Sequence, residues 1–102
     1  MQYDKLVRDR IPEIMESKGK KYTIRQIDTG LEKTAYLRKK LLEEAHEFLE
    51  KPTIEELADI QEVLLALAHG LGYLPEELEL IRRSKHHERG GFADGIILEE
   101  VI

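Results

Sequence analysis

The chain has no cysteine and no tryptophan, and only 6% of its 102 residues are aromatic. Without cysteine there are no disulfides and no thiolate metal sites. With so few aromatics, the core must be built mainly from Leu, Ile and Ala. No apolar run reaches transmembrane length and no signal-peptide pattern occurs, so the default expectation is a cytoplasmic protein. Positive charge is not in excess either: 16 Lys and Arg stand against 21 Asp and Glu, a formal net charge of −5. That balance argues against a general binder of nucleic-acid polymers or membrane surfaces. The length suits one small domain spanning 1–102, and no repeat, low-complexity stretch or linker divides it.

Two short acidic patterns stand out, Glu43-Glu44-Ala45-His46-Glu47 and Glu56-Leu57-Ala58-Asp59. Glu44 with Glu47, and Glu56 with Asp59, lie three residues apart, which on a helix places both carboxylates on nearly one face. Pro52-Thr53 falls in the short stretch between the patterns, so the two helices are expected to fold back as an antiparallel hairpin. Four carboxylates then converge at one end of the pair. Acidic pairs also arise by chance in a chain this acidic, and a charge run is usually a solvated face. Helical phase separates the two readings. Leu37, Leu41, Ala45, Phe48 and Leu49 form an apolar stripe with Glu44 at its edge, Glu47 further out and Glu43 roughly opposite its centre. On the next helix Leu57, Ile60, Val63, Leu64 and Leu67 form the core face. Glu56 points into that sector and Asp59 borders it. A carboxylate directed at a core is costly unless paired or metal-bound. Four like charges held together point to a hard, oxygen-ligated cation, Mg²⁺ or Mn²⁺. Glu50, Glu55 and Glu62 read as solvated by the same test.

Pro12 suits the first turn of a short helix over about 12–18. Residues 22–27 alternate and are rich in β-branched side chains, which predicts a short strand. Asp28-Thr29 can cap a long helix over about 30–50. Thr53-Ile54-Glu55-Glu56 is a capping-box pattern that starts a third helix reaching His69, and it offers Glu56 a competing structural job. Gly70-Leu71-Gly72 stops that helix. Pro75-Glu76-Glu77 opens a fourth, which ends at Gly90-Gly91, and 95–101 is a candidate second strand. Helix 54–69 is apolar on more than one face, with Leu65 opposite the Leu57–Leu64 stripe. Such helices are usually buried on both sides, which predicts a homo-oligomer, dimer or tetramer. The fold expected is therefore an all-α antiparallel hairpin or bundle, completed by oligomerisation and carrying one or two short strands.

Among the cations, Lys40 precedes Glu44 by four and can either salt-bridge it or contact a bound phosphate. Lys5, Arg8 and Arg10 lie early in the chain. Lys85 and Arg89, four apart, form a one-sided basic pair suited to phosphate oxygens. The histidines do not make a metal site: His46-Glu47 lacks the second histidine of a zinc-protease helix, and His86 and His87 are adjacent and diverge on a helix. An acidic cluster ringed by cations is what polyphosphate chemistry requires.

The pattern Glu-Glu-x-x-Glu followed by Glu-x-x-Asp resembles the all-α nucleoside triphosphate pyrophosphohydrolases, the MazG-like superfamily that includes phosphoribosyl-ATP pyrophosphohydrolase. Residues 3–12, Tyr-Asp-Lys-Leu-Val-Arg-Asp-Arg-Ile-Pro, and Arg89-Gly90-Gly91-Phe92 resemble a compact single-domain branch of it. One departure is the short interval between Glu47 and Glu56, which ends the helices sooner at the turn than is usual in the family. The resemblance implies cleavage of a nucleotide between its α and β phosphates, giving a monophosphate and pyrophosphate. It implies Mg²⁺ held by Glu44, Glu47, Glu56 and Asp59. It leaves Glu43 as a support for those ligands, a ligand of a second ion or the base acting on water. The substrate-side cations it implies are Lys5, Arg8, Lys40, Lys85 and Arg89. A helical dimerisation or regulatory module without turnover, and a sensor that binds Mg-nucleotide without cleaving it, are the competing readings.

Overall fold

A computed structural model describes residues 4–27 and 30–102. It contains four helices: α1 (Ile11–Ser17), α2 (Gly30–Glu50), α3 (Ile54–Gly70) and α4 (Pro75–Arg89). Local signals account for these boundaries. Pro12 sits in the first turn of α1, where the missing N–H costs no hydrogen bond. At α3, Thr53 Oγ1 accepts from the Glu56 N–H at 3.3 Å. At α4, Pro75 starts the first turn and the Glu77 carboxylate accepts from the Leu74 N–H at 2.9 Å. Gly72 (φ +91°) and Gly90 (φ +82°) adopt the left-handed conformation that ends α3 and α4 at little steric cost. The expected cap at Asp28-Thr29 lies outside the described residues.

α2 and α3 form the antiparallel hairpin. Near one end, a Cβ placed on Gly70 would lie 3.8 Å from Thr34 Oγ1. At the other end, carboxylate oxygens of Glu44, Glu56 and Asp59 lie within 4.8 Å of one another. Leu37 of α2 and Val63 and Ala68 of α3 are the buried apolar side chains of this seam. Beyond it, α4 packs on α3 alone.

A 102-residue chain with so slight a core is open. Its radius of gyration is 17.8 Å, against about 13 Å for a compact domain of this length. Its accessible surface is 9753 Å², against roughly 5,900 Å² for a folded monomer of this mass. Leu42 and Leu49 of α2 and Leu57 and Leu64 of α3 are exposed, although the helical phase of the last three put them in the apolar stripes. One hairpin has a single seam, so each helix turns only part of its apolar arc toward the other.

No strand is formed among the described residues. The segments 21–27 and 96–102, which cover most of both expected strands, carry no regular secondary structure, and their backbones form no backbone hydrogen bond with another described residue. β-propensity reflects fit to a neighbouring strand, and within one chain neither segment has one. No helix of the described residues is long and apolar enough to cross a membrane.

Candidate functional site

The open end of the hairpin gathers charge from both directions. α2 supplies Glu43, Glu44 and Glu47, and α3 supplies Glu56, Asp59 and Glu62. Glu44 is the deepest of these, only 8% exposed, and is the buried charged residue of the described structure. Its Oε2 and that of Glu56 are shielded from solvent with no hydrogen-bond donor. Buried polar atoms are nearly always satisfied, so two such oxygens on carboxylates of one cluster call for a proton or a cation. The capping-box role for Glu56 is only half taken up. Its N–H bonds to Thr53, but its carboxylate does not return a bond to the Thr53 N–H and instead contacts Glu47.

Burial is the largest cause raising the titration of Glu44 above its ordinary value of 4.5, followed by contact with Glu47. Lys40, 3.6 Å away, opposes the rise and Asp59 adds to it. Burial also leads for Glu56, followed by the charges of Glu47 and Asp59, with Lys51 opposing. Glu43 moves the other way, because Lys5 Nζ donates to its Oε1 at 2.7 Å.

These directions set the pH response of the metal-free protein. Glu44 and Glu56 hold their protons more tightly folded than unfolded. Their stabilising effect is complete below 4.5 and is lost as pH rises through the folded-state titration. Glu43 acts oppositely, and its contribution is lost only as pH falls below 4.5. Melting scans in chelator should therefore show Tm falling as pH rises above 4.5. A Tm that rises steadily from that pH would contradict the crowding of these carboxylates.

The segment preceding α1 closes the site from outside. Arg8 Nη2 donates to Asp59 Oδ1 at 2.7 Å, and Nη1 lies 3.8 Å from Glu62. Glu62, read from helical phase as solvated, is thus drawn to the rim. Next to it, Asp4, Lys5, Leu6, Tyr36, Lys39, Lys40 and Glu43 line a cleft of about 230 Å³. Tyr36 donates to Asp4 Oδ1 at 2.6 Å and accepts from Arg25 Nη2 at 3.0 Å. Lys39 lies 5.5 Å from the centre of the same ring. Nothing in the helical periodicity marks Tyr36, Asp4 and Arg25 as neighbours of the carboxylates, since they join through contacts between distant parts of the chain. A larger, shallow depression of about 380 Å³ lies on α4 between Pro75 and Arg83. It holds no convergent chemistry, and size alone does not make it a site.

Of the residues expected at the site, Glu43, Glu44, Glu47, Glu56, Asp59, Lys5, Arg8 and Lys40 are brought together. Lys85 and Arg89 are not. They lie exposed on α4, which packs on α3 and makes no contact with α1 or α2. The short turn after α2 does not prevent convergence, because α2 continues to Glu50 and α3 resumes at Ile54.

No protein-family model, curated protein or solved structure matches the chain.

Proposed function

We propose that this chain is a Mg²⁺-dependent nucleotide pyrophosphohydrolase, cleaving the α–β phosphoanhydride of a nucleoside triphosphate or a phosphoribosyl-ATP-like substrate. The observation that carries the reading is the buried Glu44 carboxylate, whose Oε2 has no hydrogen-bond donor, clustered with the carboxylates of Glu56 and Asp59. An all-oxygen carboxylate donor set suits Mg²⁺, with Mn²⁺ the alternative. Glu44, Glu56 and Asp59 would hold the ion directly, and Glu47, in contact with both Glu44 and Glu56, completes the set. A divalent ion there would supply Lewis-acid polarisation of the phosphates and offset their charge.

The remaining work falls to the chain's own side chains. Lys5, Arg8 and Lys40 each contact a site carboxylate and can turn toward phosphate oxygens, where a cation stabilises developing charge. Glu43, held ionised by Lys5, is suited to accept a proton from the attacking water. The cleft beside Tyr36 is where the nucleoside portion would lie against the ring. The chain is proposed to act as a homo-oligomer, because the single chain leaves Leu42, Leu49, Leu57 and Leu64 exposed. A non-catalytic dimerisation or sensing module would retain the same shape. It has less need of a buried carboxylate without a partner, which costs stability.

A panel of nucleoside triphosphates and phosphoribosyl-ATP, incubated with Mg²⁺ and assayed for released pyrophosphate, tests the proposal. Pyrophosphate should appear with one or more substrates and disappear in chelator. If no substrate is cleaved while a Mg-nucleotide still binds, the sensing reading holds instead. The basic pair on α4 gives a separate check. If α4 of a neighbouring copy completes the site in the proposed homo-oligomer, Arg89→Ala raises KM for the triphosphate severalfold with Tm unchanged, because Arg89 is solvent-exposed and carries no ion pair among the described residues. An unchanged KM would reduce Arg89 to surface charge.

A further inference from the structure

The segment after α4 is an apolar, exposed stretch of the described residues. Phe92 is 100% exposed, Ile97 79% and Val101 84%, and Ile96 and Leu98 are similar. Its backbone from 96 onward forms no hydrogen bond with any described residue. The same holds for 21–27, which carries Tyr22 and Ile24 at the surface. Among the described residues, therefore, two β-prone segments without regular secondary structure have backbones that pair with no other. α4 does not bring the later one back to α2, where Arg25 anchors the earlier one through Glu32 and Tyr36. Their charges are complementary. Lys20 and Lys21 lie at the start of the first segment and Glu99 and Glu100 near the end of the second, so antiparallel pairing brings opposite charges together. Pairing 95–101 with its own copy would instead bring the four glutamates of two chains into one two-stranded ribbon.

We infer that residues 95–101 of one copy add as an antiparallel strand to residues 21–27 of a second copy, exchanging arms across a homo-oligomer. The available area suits this. The surface beyond that of a compact monomer is roughly 3,800 Å² per chain, whereas a stable interface needs only about 800 Å² from each partner. Strand addition satisfies the unpaired backbone of both segments and covers Ile24, Ile96, Ile97 and Leu98. A strand edge left open would be a site of uncontrolled association. The inference rests on the oligomeric part of the proposed function and is independent of metal binding and turnover.

The chain's lack of cysteine makes cross-linking a clean test. Ile24→Cys is co-expressed with each of Ile96→Cys, Ile97→Cys and Leu98→Cys, with the two chains distinguished by tags. At least one combination should give a disulfide between unlike chains under mild oxidation. Deleting 95–102 should weaken association about 100-fold in sedimentation equilibrium. An internal disulfide when both substitutions sit in one chain, with no link between unlike chains, would overturn exchange in favour of the arm folding back on itself. Absence of any inter-chain link at all three positions overturns it too, as does unchanged association after the deletion. A full-length chain that sediments as an 11.9 kDa monomer would defeat the oligomer itself. An intact oligomer with unlinked arms defeats only the exchange.

Discussion

Glu44→Gln is expected to abolish pyrophosphate release, a loss of about 10³-fold or more in kcat, while leaving the metal-free protein as stable as the parent or more so. Glu44 is buried among carboxylates, with burial and Glu47 both disfavouring its charge. Removing that charge while keeping the shape relieves repulsion in the absence of a cation. Glu47→Gln should behave in the same way, because Glu47 contacts both Glu44 and Glu56. A second readout does not depend on activity. Millimolar Mg²⁺ binds only the folded protein and should raise the Tm of the parent, and the shift should shrink or vanish in both variants. Asp59→Asn is a harder case, because Asp59 also holds Arg8 at 2.7 Å. Its Mg²⁺ shift should be lost as well, but part of its effect on stability will come from the freed guanidinium. Equal Mg²⁺ shifts in parent, Glu44→Gln and Glu47→Gln would dismiss the metal site, whatever the motifs resemble.

Leu42→Asp combined with Leu49→Asp should have the largest effect on the proposed assembly, converting the expected oligomer to a monomer that is largely unfolded at room temperature. The two leucines are 74% and 78% exposed on α2, seven residues apart and hence on one side of the helix. In the described chain the buried apolar seam is confined to Leu37, Val63 and Ala68. So slight a buried seam is weak compensation for the conformational entropy of ordering about a hundred residues, and the homo-oligomer proposed above would couple folding to association. The parent's Tm should accordingly rise with protein concentration. Circular dichroism melts across a hundredfold concentration range, with sedimentation of both proteins, check this. A concentration-independent Tm, or a double variant that stays folded as a monomer, would show that one chain suffices.

The helices were legible from local chemistry. Pro12, Thr53, Pro75 and the glycines at 72 and 90 mark ends that any neighbouring context would respect, because they act within one turn. The 3.6-residue phase also placed Glu44 at the edge of one apolar stripe and Glu56 within the other, and the Pro52-Thr53 turn implied that their helices meet. Convergence of the carboxylates therefore followed from the sequence by itself.

What the tertiary structure decided lies beyond one turn. Lys5 reaches Glu43 across 38 residues of chain and Arg8 reaches Asp59 across 51. No periodicity encodes such meetings, because they depend on the path of the segment preceding α1. Glu62, solvated by phase, became a rim residue through Arg8. Tyr36 became the centre of an Asp4–Arg25–Lys39 cluster for the same reason. Lys85 and Arg89 went the other way, since α4 packs on α3 alone and holds them off the carboxylates. The strands at 22–27 and 95–101 mark the physical divide most clearly. A helix closes its hydrogen bonds within its own segment and can be read locally, whereas a strand exists only when another strand lies beside it.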